Sequence, residues 1–212
     1  SPDQGQTRNT LMKRVFAMKI MAILMLALGL CACGRSTPTN YYLLESSPGQ
    51  IQAESLPAGT LRVAMVEGPN YLNRNNIVSR VKGEPRLILA EFHLWAEPVT
   101  NGVRRVIAET LTKPLLADGI TVLPPGSSNG GDYVLLLDIQ RLDGNFDEKA
   151  VLECHWSLLD KNEKALGSGI YSSEEMVRGA NYNALVDAES RLVRRMGDYL
   201  AQKLLPFLHT GK

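Results

Sequence analysis

The chain has 212 residues, 23 Lys and Arg against 22 Asp and Glu, and a formal net charge of +1. That balance lacks the basic excess a nucleic-acid surface requires, so no nucleic-acid partner is expected. Three cysteines and three histidines leave little material for metal or disulfide chemistry, while the length beyond a leader suits one domain with a real core.

Ser1 to Leu11 are polar and precede Met12, so the natural start is expected at Met12 or Met18. Lys13, Arg14 and Lys19 then lead into an apolar run, Ile20 to Leu30. A positive region, a short apolar region and a small residue before a cut site make a secretory signal peptide. The run is shorter than the roughly 20 apolar residues a membrane-spanning helix needs. It closes on Leu30-Cys31-Ala32-Cys33, which resembles a bacterial lipobox: cleavage between Ala32 and Cys33, with lipid attached to Cys33. Cys31 is the poorer acceptor, because it would put the bulky Leu30 at the cut. The residue after Cys33 is Gly34 and not Asp, which by resemblance to sorted lipoproteins of bacteria with two membranes implies the outer membrane and its periplasmic face. Residues 1–32 are expected to be removed. They take four basic residues and one acidic residue with them, which leaves a mature charge of −2. Cys154 is then the one unmodified cysteine, and no intramolecular disulfide can form.

Residues 33–40 read as a lipidated tether and residues 41–212 as a single periplasmic domain. Tyr41 to Leu44 has strand character. Residues 46–60 hold Pro48, Gly49, Pro57 and Gly59 and read as loop. Leu61 to Val66 alternates like a strand. Ile77 to Val81 and Arg86 to Phe92, split by Lys82-Gly83-Glu84-Pro85, give a hairpin signal. A helix over Thr100 to Ala117 follows, with Val103, Val106, Ile107 and Leu111 on one face. Gly119 stands where a left-handed cap would sit, and Pro114 should kink or shorten the last turns. After a short strand, Ile120 to Leu123, three longer ones are expected at Tyr133 to Leu142, Ala150 to Leu159 and Ala165 to Val177. In the first two, alternation places Tyr133, Leu135, Leu137, Ile139, Leu152, Cys154, Trp156 and Leu158 inward. They form an antiparallel meander with one wet face. A closing helix over Ala184 to Leu205 turns Leu185, Ala188, Leu192, Met196, Tyr199 and Leu200 inward, and Pro206 is expected to stop it. The order reads βββαββββα: an α+β fold, a two-layer sandwich of a mainly antiparallel sheet with two amphipathic helices on one face.

Catalytic signatures are missing. His93, His155 and His209 are isolated, and no CxxC, HExxH or paired-His spacing marks a metal or cofactor site. Gly167-Ser168-Gly169 lacks the frame of a nucleophile elbow. Asp138, Asp143 and Asp147 near a strand end are expected to be solvated strand and turn residues. His155 fits a wet face and Cys154 a core position. Arg191, Arg194 and Arg195 read as a solvated helix face balanced by Asp187, Glu189 and Asp198. The segment Gly68 to Pro98 is less bland: Tyr71-Leu72 precedes Ile77-Val78-Ser79-Arg80, and Trp95-Ala96-Glu97-Pro98 makes a corner before the first helix. Tyr71, Arg80, Trp95 and Glu97 are its candidate partner-docking residues. Trp95 has an alternative role in the core, and Glu97 an alternative role against the helix dipole.

In combination, the lipobox, Tyr41-Tyr42-Leu43-Leu44, Tyr71-Leu72, Ile77-Val78-Ser79-Arg80 and Trp95-Ala96-Glu97-Pro98 resemble the PqiC/YmbA family of ABC-type transport auxiliary lipoproteins. The family often has an acidic residue where Asn73 stands. The resemblance implies a small α+β domain on an outer-membrane lipoprotein that works without catalysis. It would act beside an inner-membrane-anchored MCE-domain protein of the PqiB kind in intermembrane lipid transport. A homo-oligomeric ring matching the MCE tube is the assembly it suggests. The alternative reading is a structural lipoprotein that assists assembly or stability of an outer-membrane complex.

Overall fold

The computed structural model describes residues 12, 14, 16–21, 36–46, 59–64, 66–127 and 130–208. Residues 1–38 and 39–212 are two compact units. In the first, the described residues between 12 and 21 are helical; Leu30 to Cys33, with the expected cleavage and acylation positions, lie outside the described residues.

The second unit runs β1 (Asn40–Tyr42), β2 (Gly59–Val63), a 3-10 turn at Asn70–Asn73, β3 (Asn76–Arg80), β4 (Leu87–Trp95), α1 (Val99–Ala117), β5 (Ile120–Val122), β6 (Tyr133–Gly144), β7 (Lys149–Asp160), β8 (Ala165–Met176) and α2 (Tyr182–Leu208). Four strands, not three, precede the first helix, because β1 and β2 are separate elements as well as β3 and β4. The α+β class holds. The meander β6-β7-β8 and the hairpin β3-β4 are antiparallel, as the alternation and turn signals predict. The sheet as a whole is mixed: β1 pairs parallel to β4, β2 to both β5 and β6, and β3 touches β6 in parallel at Ser79 and Gly144. The long strand β6 therefore carries β7 along one edge, and β2 and β3 share the other.

The strand faces follow the period of two. Leu135, Leu137, Ile139, Leu152, Cys154, Trp156 and Leu158 are buried, and His155 is exposed. Val103, Val106, Ile107 and Leu111 of α1 and Leu185, Leu192, Met196 and Leu200 of α2 supply the facing layer. The helices pack closely where a Cβ at Gly197 would lie 2.7 Å from the Thr110 side chain.

Neither proline ends its helix. Pro114 sits inside α1, which runs on to Ala117 and closes at Gly119 with φ 77°. Pro206 sits inside α2, which reaches Leu208. A proline this near the C-terminus forfeits one intrahelical bond, and the Leu208 carbonyl accepts the Tyr133 hydroxyl at 3.0 Å.

The chain between β1 and the first undescribed loop is pinned. The Tyr42 carbonyl accepts from Ala96 N–H at 2.8 Å, and the Leu44 carbonyl from Arg105 Nη2 at 3.0 Å. Glu45 N–H donates to Ser190 Oγ at 3.1 Å, and its carbonyl accepts from Arg194 Nη1 at 2.6 Å.

Candidate functional site

Among the described residues, the densest polar arrangement is built on Asp143 of β6, two residues before the turn into β7. It is fully buried, contrary to the solvated role expected for it. A register shift between Ile139 and Arg141 in β6 breaks the alternation and sets Leu142 opposite the buried Leu152; Asp143 and Gly144 beside it are buried as well. Arg80, the last residue of β3, grips the carboxylate with two bonds, Nε to Oδ1 at 2.9 Å and Nη2 to Oδ2 at 2.8 Å. Arg141 adds Nε and Nη2 to Oδ1 at 3.1 and 3.0 Å. The Tyr71 hydroxyl, from the 3-10 turn, donates to Oδ2 at 3.3 Å and accepts the Leu142 N–H at 3.2 Å.

Burial alone would raise the Asp143 carboxyl, but the bonds from Arg80 and Arg141 outweigh it and hold the pKa below the usual range. Tyr71 is pushed up to about 12, first by burial and further by the Asp143 charge. It stays a neutral donor. Asp143 has its lone pairs occupied by donors, which leaves no free base for proton transfer.

Glu189 of α2 corrects a second expectation. It is 2 % exposed and does not belong to the wet face. Its Oε2 has no hydrogen-bond partner among the described residues. It borders a cavity of about 10 Å³, the size of one water, with Leu72, Val78, Trp95 and Leu142. Burial pushes its carboxyl well up, and the nearby Asp143 charge pushes the same way; the group is a neutral acid. Two of the three arginines of that helix are balanced instead by Glu175 of β8, which pairs with Arg191 at 2.9 Å and with Arg195, while Arg194 donates to the Glu45 carbonyl.

The four sequence candidates thus separate. Tyr71 and Arg80 meet on Asp143. Trp95 is 5 % exposed in the core. Glu97 accepts from Arg105 Nε and Nη2 at 3.2 and 2.8 Å, which positions the arginine that holds Leu44. Sequence reasoning missed Arg141 and the inward turn of Glu189, though Glu189 stands four residues after the inward Leu185.

A cleft of about 470 Å³ opens between the start of β1 and the start of α2. Tyr42 OH lies 2.8 Å from His93 Nδ1, His93 stacks on Tyr182 at 4.1 Å, and Phe146 meets Tyr182 edge-on at 5.0 Å. Asn40, Asn181 and Asn183 complete the walls, which carry no Asp, Glu, Lys or Arg. Cys154 is fully buried, and burial pushes its thiol to about 12, so it is not a nucleophile. No group of three or more metal-ligating side chains occurs among the described residues, nor is any helix among them long and apolar enough to cross a membrane.

Comparison with known proteins adds the family. The profile described as "ABC-type transport auxiliary lipoprotein component" matches residues 41–201. The intermembrane transport lipoprotein PqiC of Escherichia coli (strain K12) is 24 % identical over 139 residues, which is 66 % of this chain and 72 % of that one. The crystal structure of protein XCC0632 from Xanthomonas campestris superposes with a TM-score of 0.65 at 16 % identity, over 81 % of this chain and 97 % of that one. A crystal structure described only as an uncharacterized protein gives 0.66 at 20 % identity, over 79 % and 99 %. These two show the fold.

Proposed function

The chain belongs to the family of ABC-type transport auxiliary lipoprotein components, and from that premise we propose that it is an outer-membrane lipoprotein anchored through Cys33, whose domain faces the periplasm. There it serves as a docking accessory to an MCE-type intermembrane lipid transport assembly and performs no catalysis. The observation that carries this reading is the family match across the folded domain, directly behind a lipobox. The ion pairs support it: Asp143 and Glu175 have both carboxylate oxygens held by guanidinium donors and serve as framework. Among the four candidate docking residues, Arg80 and Glu97 keep 26 % and 32 % of their side chains exposed and can offer charge to a partner. Tyr71 and Trp95 stand behind them as support.

Two experiments test this. Cross-linking in intact envelopes, with this chain as bait, should recover an inner-membrane-anchored MCE-domain protein. Recovery of an outer-membrane barrel complex alone would favour the structural alternative. Cys33→Ala should leave an unprocessed precursor tethered at the inner membrane with its domain intact. Normal processing and outer-membrane fractionation of that variant would overturn the anchor assignment.

A further inference from the structure

The cleft beside β1 lies wholly within the folded domain. Tyr42 comes from β1, His93 from β4, Phe146 from the turn between β6 and β7, and Tyr182 from the start of α2. Its volume of about 470 Å³ falls within the range of small-molecule sites, about 300–1,000 Å³. The four rings hold one another. The Tyr42 hydroxyl bonds His93 Nδ1, His93 stacks on Tyr182, and Phe146 meets Tyr182 edge-on. Four separate segments thus build one aromatic wall.

Polar groups without partners stand around that wall. The side chains of Asn40 and Asn183 are exposed and make no hydrogen bond among the described residues; neither does the Tyr182 hydroxyl nor His93 Nε2. Asn181 is half committed: its Oδ1 accepts the Ala184 N–H at 3.0 Å and caps α2.

The lining selects the ligand. With no Asp, Glu, Lys or Arg in the walls, a phosphate or ammonium group would lose water there without gaining a counter-charge. An acyl chain would cover carboxamides and leave them unbonded, which is also unfavourable. A neutral ligand with an apolar face and many hydroxyls meets neither objection. A pyranose ring is of that kind. Its C–H face packs on the negative face of an aromatic ring. Its neighbouring hydroxyls match a carboxamide, which donates and accepts from one planar group.

We propose that this cleft binds a neutral saccharide, with a sugar ring against the aromatic wall and its hydroxyls bonded to Asn40 and Asn183. The contact uses neither the ion pairs of the framework nor Arg80 and Glu97, so saccharide binding and partner docking can be lost separately.

Saturation-transfer NMR on the full, lipidated chain in a sugar-free zwitterionic detergent tests this, with tri-N-acetylchitotriose and maltotriose as probes at millimolar concentration. Transfer to the ring C–H protons is expected. Preference for the first probe would assign the site to amino-sugar glycans, and preference for the second to plain hexose chains. Asn40→Ala and Asn183→Ala remove exposed side chains that the fold does not use, and each should weaken binding by about two- to tenfold. Tyr182→Ala should abolish it, whereas Ile170→Ala on β8 should leave it unchanged. No transfer to either saccharide, or transfer that survives both asparagine variants intact, would overturn the proposal. So would binding of glycerol 3-phosphate or of N-acetyl-trialanine amide in place of the sugars, which would assign the cleft to a headgroup or to a peptide.

Discussion

Asp143→Ala removes the acceptor of five bonds, two from Arg80, two from Arg141 and one from Tyr71. Breaking a buried ion pair from one side costs about 3–5 kcal/mol, because the surviving charge stays buried without a partner. Here the survivors are only partly buried, with 26 % and 31 % of the Arg80 and Arg141 side chains exposed, so water recovers part of the loss. A cost of about 2–3 kcal/mol is expected at neutral pH. For a domain of this size that corresponds to a fall in Tm of about 4–12 °C. The cost should depend on pH. The folded pKa of Asp143 lies below its unfolded value, so its contribution is complete above about pH 5 and declines as pH falls through the unfolded value near 4 and on to the folded one. Urea unfolding of both proteins at several pH values between 3 and 7 measures this. The stability gap should narrow toward pH 3. A gap under about 1 kcal/mol at pH 7, or one that does not change with pH, would refute the picture of a charged carboxylate stabilised by two guanidiniums.

Glu189→Gln should stabilise the domain at neutral pH. The native acid is neutral in the fold and ionised in the unfolded chain, so folding takes up a proton and loses about 1 kcal/mol for each pH unit above the unfolded pKa. The gain should vanish near pH 4, and calorimetry in buffers of different ionisation enthalpy would detect the proton uptake or its absence. Trp95→Ala should destabilise by about 3–5 kcal/mol as a core truncation; a melt close to the native one would instead favour a docking role. Gly197→Val forces side-chain atoms into Thr110 and should cost about 1–3 kcal/mol, seen as a lower urea midpoint. An unchanged midpoint would mean that the helices separate freely at that crossing.

What could be read from the sequence was local. Alternation in β6 and β7, the 3.6-residue rhythm of α1 and α2, and the turn at Gly119 each arise from neighbours along the chain, and the structure has them where the pattern puts them. The parallel pairings of β1 with β4 and of β2 with β5 and β6 leave no such trace, because the partners are 53, 61 and 72 residues apart. The reading of Pro206 failed for a related reason: the rule concerns one lost bond, and α2 runs on past it to Leu208, whose carbonyl is bonded by Tyr133. For the polar site, Tyr71 and Arg80 stood out in the sequence, but their common partner did not. Asp143 has the parity of the inward Tyr133, Leu135, Leu137 and Ile139, so the alternation pointed inward and its charge argued against it; what carries no sequence mark is the irregularity before Arg141 that turns Leu142 inward as well. Glu189 was legible, since its spacing from Leu185 places it inward; its charge argued against that, and burial answered by neutralising it.

The pinned segment from Tyr42 to Glu45 has a mechanical consequence. A load applied from the N-terminal side enters the domain at Asn40, and β1 alone, with three residues paired to β4, would peel from the sheet under it. The pull is passed on instead through the Leu44 and Glu45 backbone to Arg105 of α1 and to Ser190 and Arg194 of α2. Residues Tyr42 to Glu45 thereby distribute a load entering at Asn40 over both helices, so the layer that forms the core is also the layer that takes up the pull.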